Sequence, residues 1–194
     1  PSLTRPFVNS YLNIDGTPYS EKHQDGTYKT FLEETTGRDL RLNQTIRAYD
    51  YKRTDKTGKS VRTTPNFNYS LTGYHITKYT IPDEAYDVYG ANNNDMPVMR
   101  YAEALLNYAE AKAELGTLSD NDWEKTIGAL RKRAGITGGL KTLPAVVDQT
   151  FQSTYFPNIT DPVILEIRRE RSIELCLEGF RMKDLRRWAR ADLW

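Results

Sequence analysis

The stretch PVMRYAEALLNYAEAKAELG, residues 97–116, constrains the fold most, because it is built almost wholly of good helix formers between a proline and a glycine. Pro97 is suited to a first helical position, where its missing N–H costs nothing, and Gly116 to the residue that ends a helix. At about 100° per residue, Val98, Ala102, Leu105, Ala109 and Ala113 fall on one stripe. Tyr101 and Tyr108 lie beside it and read as core, while Arg100, Glu103, Asn107, Glu110 and Glu114 lie opposite. The small alanines let a neighbouring helix approach closely.

That neighbour follows at once. Ser119 can cap a helix running from Asp122 through Ala134 to Gly135, with Trp123, Ile127 and Leu130 inward. The short link from Gly116 to Asp120 makes the two a helical hairpin. Residues 137–161, with Gly138-Gly139, Pro144 and Pro157, read as a long connection holding one short helix over 145–151. A third strong helix is predicted over 163–177, stopped by Gly179, and a fourth over 183–191. On the third, Ile164, Ile167 and Leu175 share a sector with Arg171, Glu174 and Glu178. Ions pointing toward a core need partners, so Arg168 or Arg171 is expected to pair with Glu174 or Glu178.

Residues 1–95 have a different texture, rich in Tyr, Thr, Asn, Asp and Gly, with turn signals at Asp15-Gly16, Asp25-Gly26, Thr57-Gly58 and Asn66. Loops and short strands are expected there. The β-branched and aromatic run over 74–81, stopped by Pro82, is the best strand, and residues 52–62 form a hairpin tip. The chain thus divides into a loop-rich, Tyr-rich segment over 1–95 and a helical region over 96–194.

Composition removes several function classes. Lys and Arg number 27 against 26 Asp and Glu, a formal net charge of +1 that gives no global field for nucleic acid or a membrane surface. The basic tail from Arg181 to Arg190 also contains Asp184 and reads as a solvated or ion-paired face. No apolar run approaches the roughly 20 residues of a membrane span. A single cysteine, Cys176, set between two leucines, reads as a buried thiol. His23 and His75 stand apart without zinc-ligand spacing, and residues 92–95 read as a turn, so neither a metal nor a cofactor is expected. PSLTRPFVNSYLNIDG has no basic segment followed by an apolar one, so it is not a signal peptide.

The helical motifs resemble one family. PVMRYAEALLNYAEAKAELG, then ALRKRAGI, then IRRERSIELCLEGFRMKDLRRW follow the order found in the C-terminal part of SusD/RagB proteins. The family form Glu-Arg-x-x-Glu-Leu-x-x-Glu-Gly-x-Arg-x-x-Asp-Leu-x-Arg-Trp falls on Glu170, Arg171, Glu174, Leu175, Glu178, Gly179, Arg181, Asp184, Leu185, Arg187 and Trp188. RPFVNSYLNIDGTPY and GRDLRL look like two further family elements, with Leu40 where a proline is common.

The resemblance implies a mainly α fold, a TPR-like helical scaffold with loop-rich and short β-hairpin insertions, present here as a C-terminal fragment. It further implies binding of oligosaccharides or other nutrients without chemistry, at the outer-membrane surface of Bacteroidetes. The partner would be a SusC-like TonB-dependent transporter, and the membrane would be met only through an N-terminal lipid outside this chain. The rival readings are a helical-repeat protein-interaction module and a glycoside-processing enzyme. No nucleophile, base pair or metal site for the latter is visible in the sequence.

Of the thirteen tyrosines, those in loops can stack on sugar rings while nearby polar side chains bind hydroxyls. Tyr19, Tyr28, Phe31, Tyr49 and Tyr51 are the candidate ligand-binding residues. For each, packing of a loop layer onto the helices stays open as the alternative.

Overall fold

The computed structural model describes residues 2–23, 30–91 and 93–193. The Asp25-Gly26 turn, Tyr28, and Asn92 of the 92–95 run lie outside them. The fold is a mainly helical scaffold with one small β insertion. In order come α1 (Arg5–Asn9), α2 (Tyr19–Lys22), α3 (Phe31–Thr35), α4 (Leu40–Thr45), the hairpin strands β1 (Lys52–Thr54) and β2 (Ser60–Arg62), and α5 (Tyr101–Glu114). A continuous helical run then comprises α6 (Asp120–Trp123), a π-helical turn (Glu124–Gly128) and α7 (Ala129–Arg133). The chain continues through α8 (Gln149–Tyr155), α9 (Pro162–Glu174) and α10 (Arg181–Arg187).

The helical hairpin forms as its pattern predicts. Ser119 accepts from the Asp122 N–H while the Asp122 carboxylate accepts from the Ser119 N–H, a reciprocal cap. Trp123, Ile127 and Leu130 are buried against Ala102, Leu106 and Ala109 of α5. Two expectations about α5 fail. The helix starts at Tyr101, because Arg100 stays extended at φ −141°, ψ 156° while its guanidinium binds Glu174 and Glu178. The buried stripe is also rotated: Glu110 is inside, whereas Val98, Tyr101 and Tyr108 are exposed. Glu110 turns inward because it receives Arg187 at 2.5 Å and the Trp188 indole N–H at 2.7 Å.

In the first half, the short helices α1 to α4, over residues 5–45, lie among loops and short β elements. They stand on tertiary ties, being too short to persist alone. Thr30 and Asp39 cap α3 and α4 through the Glu33 and Arg41 N–H groups. Buried Arg38 donates to the carbonyls of Val8, Tyr11 and Glu34, joining α1 to α3. The expected strand over 74–81 is reduced to isolated bridges, Ser2 to His75 and Ile46 to Ile76. Thr80 N–H bonds back to the Thr77 carbonyl and Tyr79 sits at φ 65°, so the chain turns before a ladder can extend. The 52–62 hairpin forms, with Lys52 opposite Arg62 and Thr54 opposite Ser60.

Every residue of α9 from Ile164 to Glu174 is buried, although half of them are ionic. Its apolar side chains enter three clusters: Ile167 joins α5 and the α6–α7 run, Ile173 joins α1 and α4, and Leu165 joins Phe151, Phe156 and Trp188. The ions reach outward between these clusters. Glu166 takes Arg131 at 2.5 Å and Arg169 at 3.0 Å. Glu170 takes Arg41 at 2.5 Å and Arg131 at 3.1 Å. Glu174 takes Arg41 at 2.8 Å, Arg133 at 2.5 Å, and Arg100. Arg171 pairs with Asp184 at 2.8 Å. The pairing of Arg168 or Arg171 with Glu174 or Glu178 therefore does not form; apart from the Glu166–Arg169 pair, a helix surrounded on all sides sends its charges to its neighbours.

The remaining boundaries shift by local chemistry. Asp148 caps α8 at Gln149, four residues after the expected start. α9 ends at Glu174 and Leu177 turns at φ 64°, while α10 begins at Arg181. Gly138 is required by a close approach: a Cβ there would lie 2.0 Å from the Asp15 carbonyl oxygen.

Candidate binding cleft

A cleft of about 720 Å³ opens between α1, α2 and one face of α8. One arginine holds two of its walls. Arg169 of α9, 1% exposed, donates to the Ser10 carbonyl at the end of α1 (3.1 Å) and to the Asp148 carboxylate that caps α8. The second function of Asp148 is the cap itself, its Oδ1 accepting from Thr150 N–H at 3.0 Å and Phe151 N–H at 3.1 Å. The Arg169 guanidinium also lies 4.1 Å from the centre of the Phe151 ring. Both carboxylate oxygens of Asp148 are thus committed to structure.

The third wall is α2. Tyr19 is buried, its ring covered by the Arg38 guanidinium at 3.5 Å and by the His23 ring at 4.3 Å. Across the cleft stands half-buried Tyr155, whose hydroxyl is raised above its ordinary pKa by burial. It therefore stays a neutral donor and acceptor at physiological pH. The rim carries uncharged hydrogen-bonding groups, Asn9, Ser20, Gln149, Thr150 and Thr154, with Arg5 and Glu21 as an opposed pair of signs. With Tyr19 and Phe151 covered by arginines, Tyr155 is the aromatic ring left partly open, and such a ring beside a rim of amides and hydroxyls suits a ligand that is apolar on one face and rich in hydroxyls on its edge.

The five candidate tyrosine and phenylalanine positions are not brought together. Tyr19 lines this cleft, and Tyr28 lies outside the described residues. Phe31 packs beside Tyr74 at 6.4 Å, on the edge of the α1–α4 cluster. Tyr49 is exposed, 4.5 Å from the Arg62 guanidinium, and Tyr51 is half-buried, 5.3 Å from that of Arg47. Asn9, Gln149, Thr154 and Tyr155 escaped the sequence reading. Their signal was faint: Asp148 before Gln149 is a cap, but α8 has no apolar stripe long enough to fix its face.

The signature carboxylates lie elsewhere. A second cleft of about 360 Å³, lined by Arg41, Lys78, Arg100, Arg133, Glu174 and Glu178 among others, is filled with mutually paired charges. Burial alone would raise the Glu174 pKa, but Arg41, Arg133 and Arg100 hold it down to about 2. A carboxylate this firmly ionised cannot serve as a general acid. Among the described residues no group of three His, Cys, Asp or Glu side chains is placed to hold a metal ion.

The model of the SusD family matches residues 2–193. This chain belongs to the SusD family. A solved SusD-like carbohydrate-binding protein from Bacteroides fragilis superposes with a TM-score of 0.61 at 27% identity, over 95% of this chain. The chain spans 35% of that relative's length. Among curated proteins no match was found. The SusD motif residues from Glu170 to Trp188 thus have a clear physical role here: they are the ions and apolar groups that join α9 and α10 to α5, α7 and α4.

Proposed function

We propose that this chain is part of a nutrient-binding protein that holds an oligosaccharide or polysaccharide without chemistry, at the outer-membrane surface, and delivers it to a SusC-like TonB-dependent transporter. Attachment there would be through an N-terminal lipid; no described helix is long and apolar enough to cross a membrane. The observation that carries the reading is the cleft itself: the half-buried ring of Tyr155 faces a rim of amides and hydroxyls within about 720 Å³, room for a few sugar rings. The Bacteroides fragilis relative, a SusD-like carbohydrate-binding protein, supports the same reading. Binding without turnover is supported by the commitment of Asp148 to a cap and an ion pair, which leaves Glu21 as the one other carboxylate among the described lining residues.

Calorimetric titration with a panel of neutral oligosaccharides tests this. Gln149→Ala and Thr154→Ala, both at exposed positions, should each weaken binding by roughly tenfold, the cost of one well-made hydrogen bond. The bound sugar should be recovered intact. Binding that neither variant alters would overturn the assignment of the cleft, and release of new reducing ends would overturn the non-enzymatic reading.

A further inference from the structure

A second groove, of about 440 Å³, is lined by Arg47, Arg62, Asn66 and Phe67 with the chain from Thr63 to Pro65. It shares no residue with the cleft. Its charge is one-sided. The cleft holds Glu21 and Asp148, and the ion-filled cleft holds Glu174 and Glu178, whereas among the described residues no carboxylate lines this groove. Neither arginine forms an ion pair among the described residues. The nearby carboxylate that Arg47 feels, Asp87, is taken by Arg53 through two bonds of 3.0 and 2.6 Å.

Three details sharpen the imbalance. Among the described residues Arg47 is steadied by one bond, Nη1 to the Thr64 carbonyl at 3.1 Å, and its Nε is buried without an acceptor. Thr63 Oγ1 is buried in the same condition. Lys52 stands directly opposite Arg62 in the hairpin, a like-charge cross-strand pair that a sheet ordinarily avoids. Like charges crowded at a surface without a carboxylate are costly in the empty protein, and an anion received by the open ends of the guanidinium groups relieves that cost.

The ring of Phe67, 71% exposed, stands beside these cations, and Arg62 is oriented by the Tyr49 ring at 4.5 Å. We infer that the groove is an anion subsite for an acidic sugar, Arg47 and Arg62 receiving its carboxylate or sulfate and Phe67 covering a face of its ring. Planar guanidinium groups suit such oxyanions because they donate two parallel bonds. The inference rests on the reading of the chain as glycan-binding, but on residues separate from the cleft.

The test is an NMR titration of the isotope-labelled full chain with glucose, glucuronate and glucose 6-sulfate. Both acids should shift the amides of residues 62–64, 66 and 67 and bind there at least about fivefold more tightly than glucose. Raising the salt from about 0.05 to 0.5 M should weaken them severalfold. Arg62→Gln, at an exposed strand end, should remove the preference for acids with an unchanged melting curve, and Phe67→Ala should weaken all three sugars. Equal affinity for glucose and the acids, or an acid response unaltered in Arg62→Gln, would overturn the proposal. So would retention on phosphatidylglycerol vesicles with no response to sugar acids, which would point to a membrane contact. Failure of the cleft reading shows separately, as unshifted amides over 149–154 with the neutral panel while residues 62–67 still respond to the acids.

Discussion

Arg41 reaches Glu170 across 129 positions of sequence, Nη1 to Oε1 at 2.5 Å, with both side chains withdrawn from solvent. Asp39 and Glu174 hold the same guanidinium, so one arginine of α4 is bound by its own N-cap and by two turns of α9. Burial by itself disfavours the charge on Arg41, and Glu170 and Asp39 reverse that, leaving its pKa well above the ordinary value. This contact joins the first half of the chain to the helical half.

Glu170→Ala leaves both Arg41 and Arg131 short of an acceptor in a buried site. Loss of one partner from such a pair costs roughly 3–5 kcal/mol. Urea denaturation should show an unfolding free energy lower by that amount, read as a lower midpoint at an unchanged slope. A loss under about 1 kcal/mol would mean that Asp39, Glu166 and Glu174 compensate fully.

Acid should unfold the protein through the same lattice. The Glu174 pKa is about 2 in the folded state against an ordinary 4.5, and Glu166 and Glu110 are lowered as well. A depressed folded pKa stabilises above the unfolded value and is lost as pH falls through the folded one. Stability should therefore be level above about pH 5 and decline between about 4.5 and 2, with Glu174 alone contributing ~3 kcal/mol. In Glu174→Gln the decline should be shallower, as measured by urea midpoints across that range.

Gly138→Ala should destabilise by roughly 1–3 kcal/mol, because its Cβ would meet the Asp15 carbonyl, a backbone atom that cannot swing away. Gly128→Ala should act alike, since its Cβ would lie 2.0 Å from the Leu140 carbonyl oxygen. Gly58→Ala, with nothing within 4 Å but φ 80°, should cost less, about 1 kcal/mol. Thermal melts of the three variants test the order.

Cys176 should resist alkylation. Burial pushes its thiol up to about 11 against the opposing pull of Lys78, so at pH 8 only about one part in a thousand is thiolate. Iodoacetamide should label the native chain far more slowly than the urea-unfolded chain. Comparable rates would place this end of α9 in an opening segment.

The helical hairpin was legible in sequence because its signals are local. Ser119 needs only Asp122, three residues on, to make its cap, and Trp123, Ile127 and Leu130 need only a 3.6-residue repeat to share a face. The same reasoning fails on α5, where Glu110 enters the core and Tyr101 and Tyr108 stay outside, because Arg187 and Trp188 lie about 77 positions away. Among the candidate sugar-contacting residues Tyr19 was visible as a loop aromatic, but its neighbours Gln149 and Tyr155 were not. Their place in the cleft depends on Arg169 drawing α8 toward α1, a contact invisible to periodicity.

By itself, the sequence determined the family, the helical hairpin, the hairpin tip over 52–62, and the need for the arginines and glutamates after Pro162 to find partners. Which partners, and therefore where the first half sits, was decided by the tertiary structure. The physical reason is the burial of α9 on every side: its apolar residues can be satisfied by many neighbours, but its charges need polar partners at hydrogen-bond distance, most of them of opposite charge. Arg41, Asp148 and Asp184 met those demands from α4, the cap of α8 and α10. The cleft and the cationic groove lie on the surface that this arrangement leaves open.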